Sequence, residues 1–343
     1  MDMDQMVGQL FTIGFHGATV TDDLRNVLRR VRPGGIILFK RNVEDPHQIA
    51  RLCGDAQREV IDAGSPPMFV AVDQEGGVVA RLSAPFTQFP SQGELTDAHY
   101  EEVFQRGALM ARELLMVGFN MNLAPVLDVR RPDDETKNFW RSFSDDPHRV
   151  ATLGLGLIRG LQQNGVMACA KHFPGLGQAR VDPHVDLPTV EGDLENDLIP
   201  FVGAISQDVA AFMMSHAIYP AVDPDSQASL SQEAIEALLR TKLGYRGMVM
   251  TDDLEMGAVA KSFTLPECSV TAFHCGADIL LICSKLEEIP ACFEAVLAAV
   301  KSQDTLGKRL EISCKRIAAA KERYLTPYKP PEFAEIERYF SGK

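Results

Sequence analysis

The sequence predicts an α/β fold, a (β/α)8 barrel of the TIM type in a single domain. Two observations carry that expectation. Short apolar runs rich in Val, Ile, Phe and Met recur along the chain, each followed by a loop and a stretch with helical spacing. That is the alternation of a parallel sheet. The polar residues able to do chemistry fall at the carboxyl ends of different runs. In a barrel those ends converge on one mouth, whereas an open sheet would spread them along an edge.

In chain order the expected strands are Leu10–Phe15, Gly35–Phe39, Met68–Asp73, Met121–Asp128, Met167–Phe173, Ala211–Ala217, Met248–Asp252 and Asp278–Cys283. Several intervening helices have legible ends. Asp146 and Pro147 read as N-cap and first helical residue, the stripe Val150, Leu153, Leu157, Leu161 follows, and Gly165 stands where a helix ends. Ser229 and Gln232 read as a capping box before Ile235, Leu238 and Leu239, with Gly244 as the stop. The stripe Leu310, Cys314, Ile317, Lys321 reads as the last helix. No internal repeat or Ser/Gly-rich linker divides the chain, so residues 1–326 read as one catalytic barrel and 327–343 as a C-terminal tail. The glycines of Gly154-Leu-Gly156-Leu-Ile-Arg-Gly160 miss the dinucleotide fingerprint and sit inside an expected helix.

Composition narrows the function classes. The 34 basic against 47 acidic residues give a formal charge of −13, the wrong sign for a chain that tracks a phosphate backbone, so nucleic acid is not an expected partner. The seven cysteines, Cys53, Cys169, Cys268, Cys275, Cys283, Cys292 and Cys314, are odd in number and contain no C-x-x-C. They read as reduced thiols, not a disulfide framework or a thiolate zinc site. The N-terminus MDMDQMVGQL has acids where a signal peptide needs a basic region, and no run reaches the ~18 apolar residues of a membrane span. A cytoplasmic protein without a membrane partner is the expectation.

Three segments carry chemistry. GMVMTDDLEM sets Asp252 and Asp253 directly after a hydrophobic strand. A carboxylate held rigidly at a barrel mouth suits a nucleophile for an anomeric carbon; a helix cap or a salt bridge is the plain alternative, more so for Asp253. ACAKHFPGLGQARVDPHVDLP ends a strand in Lys171 and His172, then runs through Gly175 and Gly177 to Asp182 and His184. Lys and His at a strand end can donate to sugar hydroxyls, while an Asp two residues from a His can orient its imidazole for acid/base work. The same stretch allows a D-x-H-x-D metal site, Asp182, His184 and Asp186, but no second ligand motif accompanies it, so no metal or other cofactor is expected. Lys171 could alternatively be a Schiff-base lysine. VDQEGGVVAR supplies Asp73 and Arg81, and Arg141 follows the Asp128 strand; a carboxylate flanked by guanidinium groups can fix a pyranose or form a structural ion pair.

Taken together, GGIILFKRN, VDQEGG with Arg81, LAPVLDV, RSFSDDP, KHFPG, DPH and GMVMTDDLEM resemble the family 3 glycoside hydrolases, in particular their single-domain β-N-acetylhexosaminidase branch of bacterial cell-wall recycling. The resemblance implies a (β/α)8 barrel that releases terminal β-linked N-acetylglucosamine from peptidoglycan-derived fragments with retention. It implies Asp252 as nucleophile, His184 as acid/base with Asp182 as its partner, and Asp73, Arg81, Arg141, Lys171 and His172 as sugar-binding residues. Val78, Leu176 and Pro183 depart from residues common at those positions. Another exo-glycosidase, a β-glycoside phosphorylase or a silent sugar-binding protein on the same barrel are the alternative readings.

Overall fold

The computed structural model describes residues 1–131, 140–177, 187–192, 194–261 and 263–342. Eight parallel strands form its centre: β1 (Phe11–Ile13), β2 (Gly35–Leu38), β3 (Phe69–Val72), β4 (Met121–Asn122), β5 (Met167–Phe173), β6 (Ala211–Met214), β7 (Met248–Thr251) and β8 (Leu280–Ile282). β1 pairs with both β2 and β8, and the order then follows the chain round to β7. The seam between β7 and β8 closes through a parallel bridge, Met250 to Ile279, with Thr251 N donating to Ile279 O at 3.0 Å and Leu281 N to Thr251 Oγ1 at 3.0 Å. The expected barrel is the observed one. All eight strands bury every residue, as parallel strands covered by helices outside and packed within must.

The ladders are shorter than the apolar runs that announce them, and β4 shows why. Its run continues past Asn122, but Pro125 has no N–H to give the ladder. Contact resumes beyond it, Leu127 N donating to Lys171 O at 2.6 Å and Lys171 N to Pro125 O at 3.0 Å. A two-stranded antiparallel hairpin, Ile218–Tyr219 with Asp223–Gln227, follows β6 outside the barrel.

The helix Pro147–Gln163 begins as its sequence dictates, with the Asp146 carboxylate accepting from His148 N and Pro147 at its first position. It packs against the helix Tyr100–Met116 so closely that a Cβ on Gly160 would stand 2.3 Å from Phe104 O. Helix contact at Gly156 and Gly160, and the Leu127 side chain at Gly154, account for those glycines without nucleotide binding. The expected capping box at Ser229 is not formed. Ser231 Oγ accepts from Ala234 N at 3.1 Å and caps the π-helical stretch Glu233–Lys242, while Ser229 Oγ is turned to His216. The stripe Leu310, Cys314, Ile317, Lys321 is buried along the helix Asp304–Leu325. Past residue 326 the helix Phe333–Phe340 lies back on the barrel: Ile336 is fully buried, Phe340 meets Phe86 edge-on at 4.7 Å, and Tyr339 Oη bonds Glu113 Oε1 at 3.0 Å. All seven cysteines are free thiols. Among the described residues no helix is long and apolar enough to cross a membrane.

Candidate active site

A cavity of about 300 Å³ opens at the carboxyl ends of the strands, and Asp73, Glu75, Arg81, Arg141, Lys171, His172 and Asp252 all line it. Larger hollows lie elsewhere, one of about 690 Å³ beside the helix Tyr100–Met116 and one of about 450 Å³ at the barrel floor. The mouth cavity is chosen on chemistry, because strand-end titratable groups converge there.

Asp73 follows β3, and a tight turn returns the chain so that Arg81 faces it. The turn depends on two glycines. Gly76 and Gly77 have φ of +106° and +56°, and a Cβ on Gly77 would stand 1.7 Å from Ser91 Oγ. Gln74 locks both arms: its Oε1 accepts from Arg81 N at 2.9 Å, and its backbone exchanges two bonds with the Asn122 amide at 3.0 and 2.9 Å. The VDQEGG…R spacing is therefore a scaffold for two charges.

Those charges join a continuous network. Arg81 Nη2 donates to Asp73 Oδ2 at 3.1 Å; Lys171 Nζ reaches Asp73 Oδ1 at 2.8 Å and Glu75 Oε1 at 2.7 Å. Arg141 holds Glu75 with two parallel bonds, Nε to Oε2 at 2.9 Å and Nη2 to Oε1 at 2.8 Å. Burial by itself would raise Asp73 and Glu75, yet the cations override it: Lys171 and Arg81 hold Asp73 below the usual carboxylate range, and Arg141 and Lys171 hold Glu75 well below it. The same pairs keep Lys171 protonated against burial, raising its pKa. Three cations against two carboxylates leave one positive charge facing the cavity, with N–H donors able to meet hydroxyl and carbonyl oxygens.

Lys171 so engaged is a charged counter-ion. That state is the opposite of the depressed, neutral amine a Schiff-base role requires. His172 is fixed from behind, its Nδ1 2.8 Å from Asp128 Oδ2, while Asp128 Oδ1 accepts from the backbone N–H groups of His172 and Leu176 at 3.1 and 2.8 Å. The Lys171–His172 peptide is cis. Burial opposes the Asp128 charge, but His172 and these donors prevail and hold it low.

Across the cavity β7 delivers Asp252. Among the described residues its carboxylate has one hydrogen bond, Oδ1 from Asp253 N at 2.8 Å, and its other oxygen is unengaged. Asp253 also lines the cavity, but its Oδ1 is held by Glu255 N at 3.1 Å and Cys283 N at 3.3 Å, and burial, with the Glu255 charge, pushes its carboxyl up to about 7. Beneath this turn His216 is buried between Ser229 Oγ at 2.6 Å and Asp253 O at 3.0 Å. A carbonyl can only accept, so Nε2 carries the proton and Nδ1 accepts from the Ser229 hydroxyl. Burial lowers the His216 pKa, in keeping with a neutral ring.

Six of the eight expected site residues thus share one cavity. The other two, Asp182 and His184, lie outside the described residues, as does Asp186. Among the described residues no group of three or more His, Cys, Asp or Glu is gathered as a metal site would need. Glu75 and Asp128 were missed as site residues. Glu75 had only a partial signal, a carboxylate directly before Gly-Gly in the loop that carries Arg81, since its partners Arg141 and Lys171 lie far off in sequence.

The family profile of the glycosyl hydrolase family 3 N terminal domain matches residues 2–320. The chain belongs to glycosyl hydrolase family 3. Its activity class is therefore that of a glycoside hydrolase. It is 37% identical over 290 residues to a beta-hexosaminidase of Alkalilimnicola ehrlichii, covering 81% of this chain and 82% of that one. It is 36% identical over 291 residues to a beta-hexosaminidase of Pseudomonas aeruginosa, covering 83% and 84%. Among solved structures it superposes on a family 3 β-N-acetylglucosaminidase from Paenibacillus with a TM-score of 0.90 at 37% identity, over 94% of this chain and 63% of that one. A β-N-acetylhexosaminidase from Beutenbergia cavernae gives 0.89 at 28% identity, over 94% and 98%.

Proposed function

We propose that this family 3 enzyme is a retaining exo-β-N-acetylhexosaminidase that removes terminal β-linked N-acetylglucosamine from peptidoglycan-derived fragments in the cytoplasm. The observation that carries the reading is the carboxylate of Asp252, one oxygen held and one unengaged, facing a sugar-sized cavity whose opposite wall is the Asp73, Lys171, Glu75, Arg141 network. Similarity to proteins named beta-hexosaminidase supports the acetamido sugar.

In this reading Asp252 attacks C1 as protonated His184, oriented by Asp182, gives its proton to the departing oxygen and the C1–O bond breaks. Neutral His184 then takes a proton from water, which attacks C1 and releases Asp252. An imidazole with a reference pKa near ~6.5 can fill both roles near neutral pH. Asp73, Arg81, Arg141, Lys171 and His172 hold the hydroxyls and acetamido group of the bound sugar.

A panel of nitrophenyl glycosides tests the substrate class. The N-acetylglucosaminide should turn over at a kcat/KM at least about 100-fold above the glucoside and xyloside, a difference of about 2.7 kcal/mol in transition-state binding. Equal rates on the glucoside would overturn the acetamido assignment.

A further inference from the structure

At the end of the barrel away from the mouth, the chain entering β6 and β7 and the helix Asp304–Leu325 enclose a hollow of about 450 Å³. Arg246, Lys315 and Arg323 stand on its rim and Arg316 forms part of its wall, against one lining carboxylate, Asp208. Among the described residues, none of the three rim cations has a carboxylate within ion-pair distance. This concentration of positive charge sits on a chain whose formal charge is −13.

The wall behind the rim is also unbalanced. Arg316 Nη1 lies 3.1 Å from Asp278 Oδ1, and that fully buried carboxylate also serves Arg240 at 2.7 Å and Arg309 at 3.1 Å. Asp278 is the one carboxylate paired with any of these three guanidinium groups among the described residues, so the three share a single ion-pair partner. Their side chains are only 3%, 12% and 19% exposed, and the Nε atoms of Arg240 and Arg309 are buried with no partner. Partial burial weakens the screening that water would provide. Asp278 cannot turn outward to relieve the rim, because it also accepts from Val249 N at 3.0 Å and Ser313 Oγ at 2.8 Å.

We propose that this floor pocket binds a phosphate-bearing small molecule, with its phosphoryl group on Arg316, Lys315 and Arg323 and its organic body against the apolar wall at Val209 and Ala320. Four lining cations against the single carboxylate of Asp208 suit a dianion better than a singly charged carboxylate. Guanidinium groups offer paired N–H donors to phosphate oxygens. The volume falls in the range of small-molecule sites.

Isothermal titration of the full chain with inorganic phosphate and with inorganic pyrophosphate, at constant ionic strength, tests this site. The expected result is saturable one-to-one binding, with pyrophosphate tighter, and acetate giving no saturable heat. The variant carrying Lys315→Ala and Arg323→Ala, both exposed positions, should weaken phosphate binding about tenfold or more, about 1.4 kcal/mol, with an unchanged circular dichroism spectrum. Absence of saturable binding for both anions, or equal affinity in the double variant, would overturn the proposal. The result is independent of the sugar assigned to the mouth.

Discussion

Arg141 grips Glu75 through two parallel hydrogen bonds of 2.9 and 2.8 Å across 66 residues of chain, and Glu75 is 1% exposed. This pair ties the loop after β3 to the segment that precedes the helix Pro147–Gln163, and Lys171 on β5 is bonded to the same carboxylate. This wall of the cavity is therefore one electrostatic unit drawn from three parts of the barrel.

Removing one member of such a unit leaves buried charge without a partner. Glu75→Gln should lower stability to urea by about 3 kcal/mol and depress kcat/KM by about 100-fold or more. A double-mutant cycle with Arg141→Met should give a coupling energy above about 1 kcal/mol. Additive losses would mean that the pair does not act as a unit.

The pH dependence of stability has two opposing parts. Asp73, Glu75 and Asp128 have folded pKa values below their unfolded ones. Their stabilisation is present above the unfolded values near ~4 and lost as pH falls through the folded ones. Asp253 is raised to about 7, so its relative stabilisation is present below about pH 4 and is lost as pH climbs toward 7. Asp253→Asn should abolish that second decline, so its thermal midpoint relative to the parent rises between pH 4 and 7. A parallel pair of midpoint curves over that range would contradict the raised carboxyl.

Gly77→Ala tests the turn that carries Glu75 and Arg81. A Cβ there meets Ser91 Oγ at 1.7 Å from a backbone with φ of +56°, so the loop must shift. The expected outcome is a thermal midpoint lower by several degrees and a kcat/KM loss of about 100-fold, since misplacement by about 1 Å has that scale of effect. Alanine at Gly64, where nothing lies within 4 Å although φ is +80°, should leave kcat/KM unchanged.

Substitution of the expected acid/base separates its role from binding. His184→Ala should cut hydrolysis of natural β-N-acetylglucosaminides far more than that of activated aryl glycosides, whose leaving groups need no proton. Rates measured side by side on chitobiose and a dinitrophenyl glycoside should differ in their losses by about 100-fold or more. Equal losses on both would remove the imidazole from that role.

The barrel was legible because each strand is a short, continuous apolar run and each strand end carries a polar residue. Strand lengths were not: β4 stops at Asn122 because Pro125 cannot donate. Local spacing also misassigned a cap, since Ser229 and Ser231 are both plausible from sequence and the choice depends on His216 needing a hydroxyl. Asp252 could be read from its strand-end position alone. Glu75 could not, because its meaning depends on Arg141 and Lys171, 66 and 96 residues away in sequence. Lys171 was read as a sugar ligand, and its position between two carboxylates shows how it stays charged at that wall.

The central claim is that Asp252 bonds covalently to the sugar. Incubation with a 5-fluoro N-acetylglucosaminyl fluoride, followed by proteolysis and mass spectrometry, tests it directly. A single adduct on the peptide containing Asp252, absent from Asp252→Asn, is the expected result. An adduct on another residue, or hydrolysis that inverts the anomeric configuration by NMR, would contradict it.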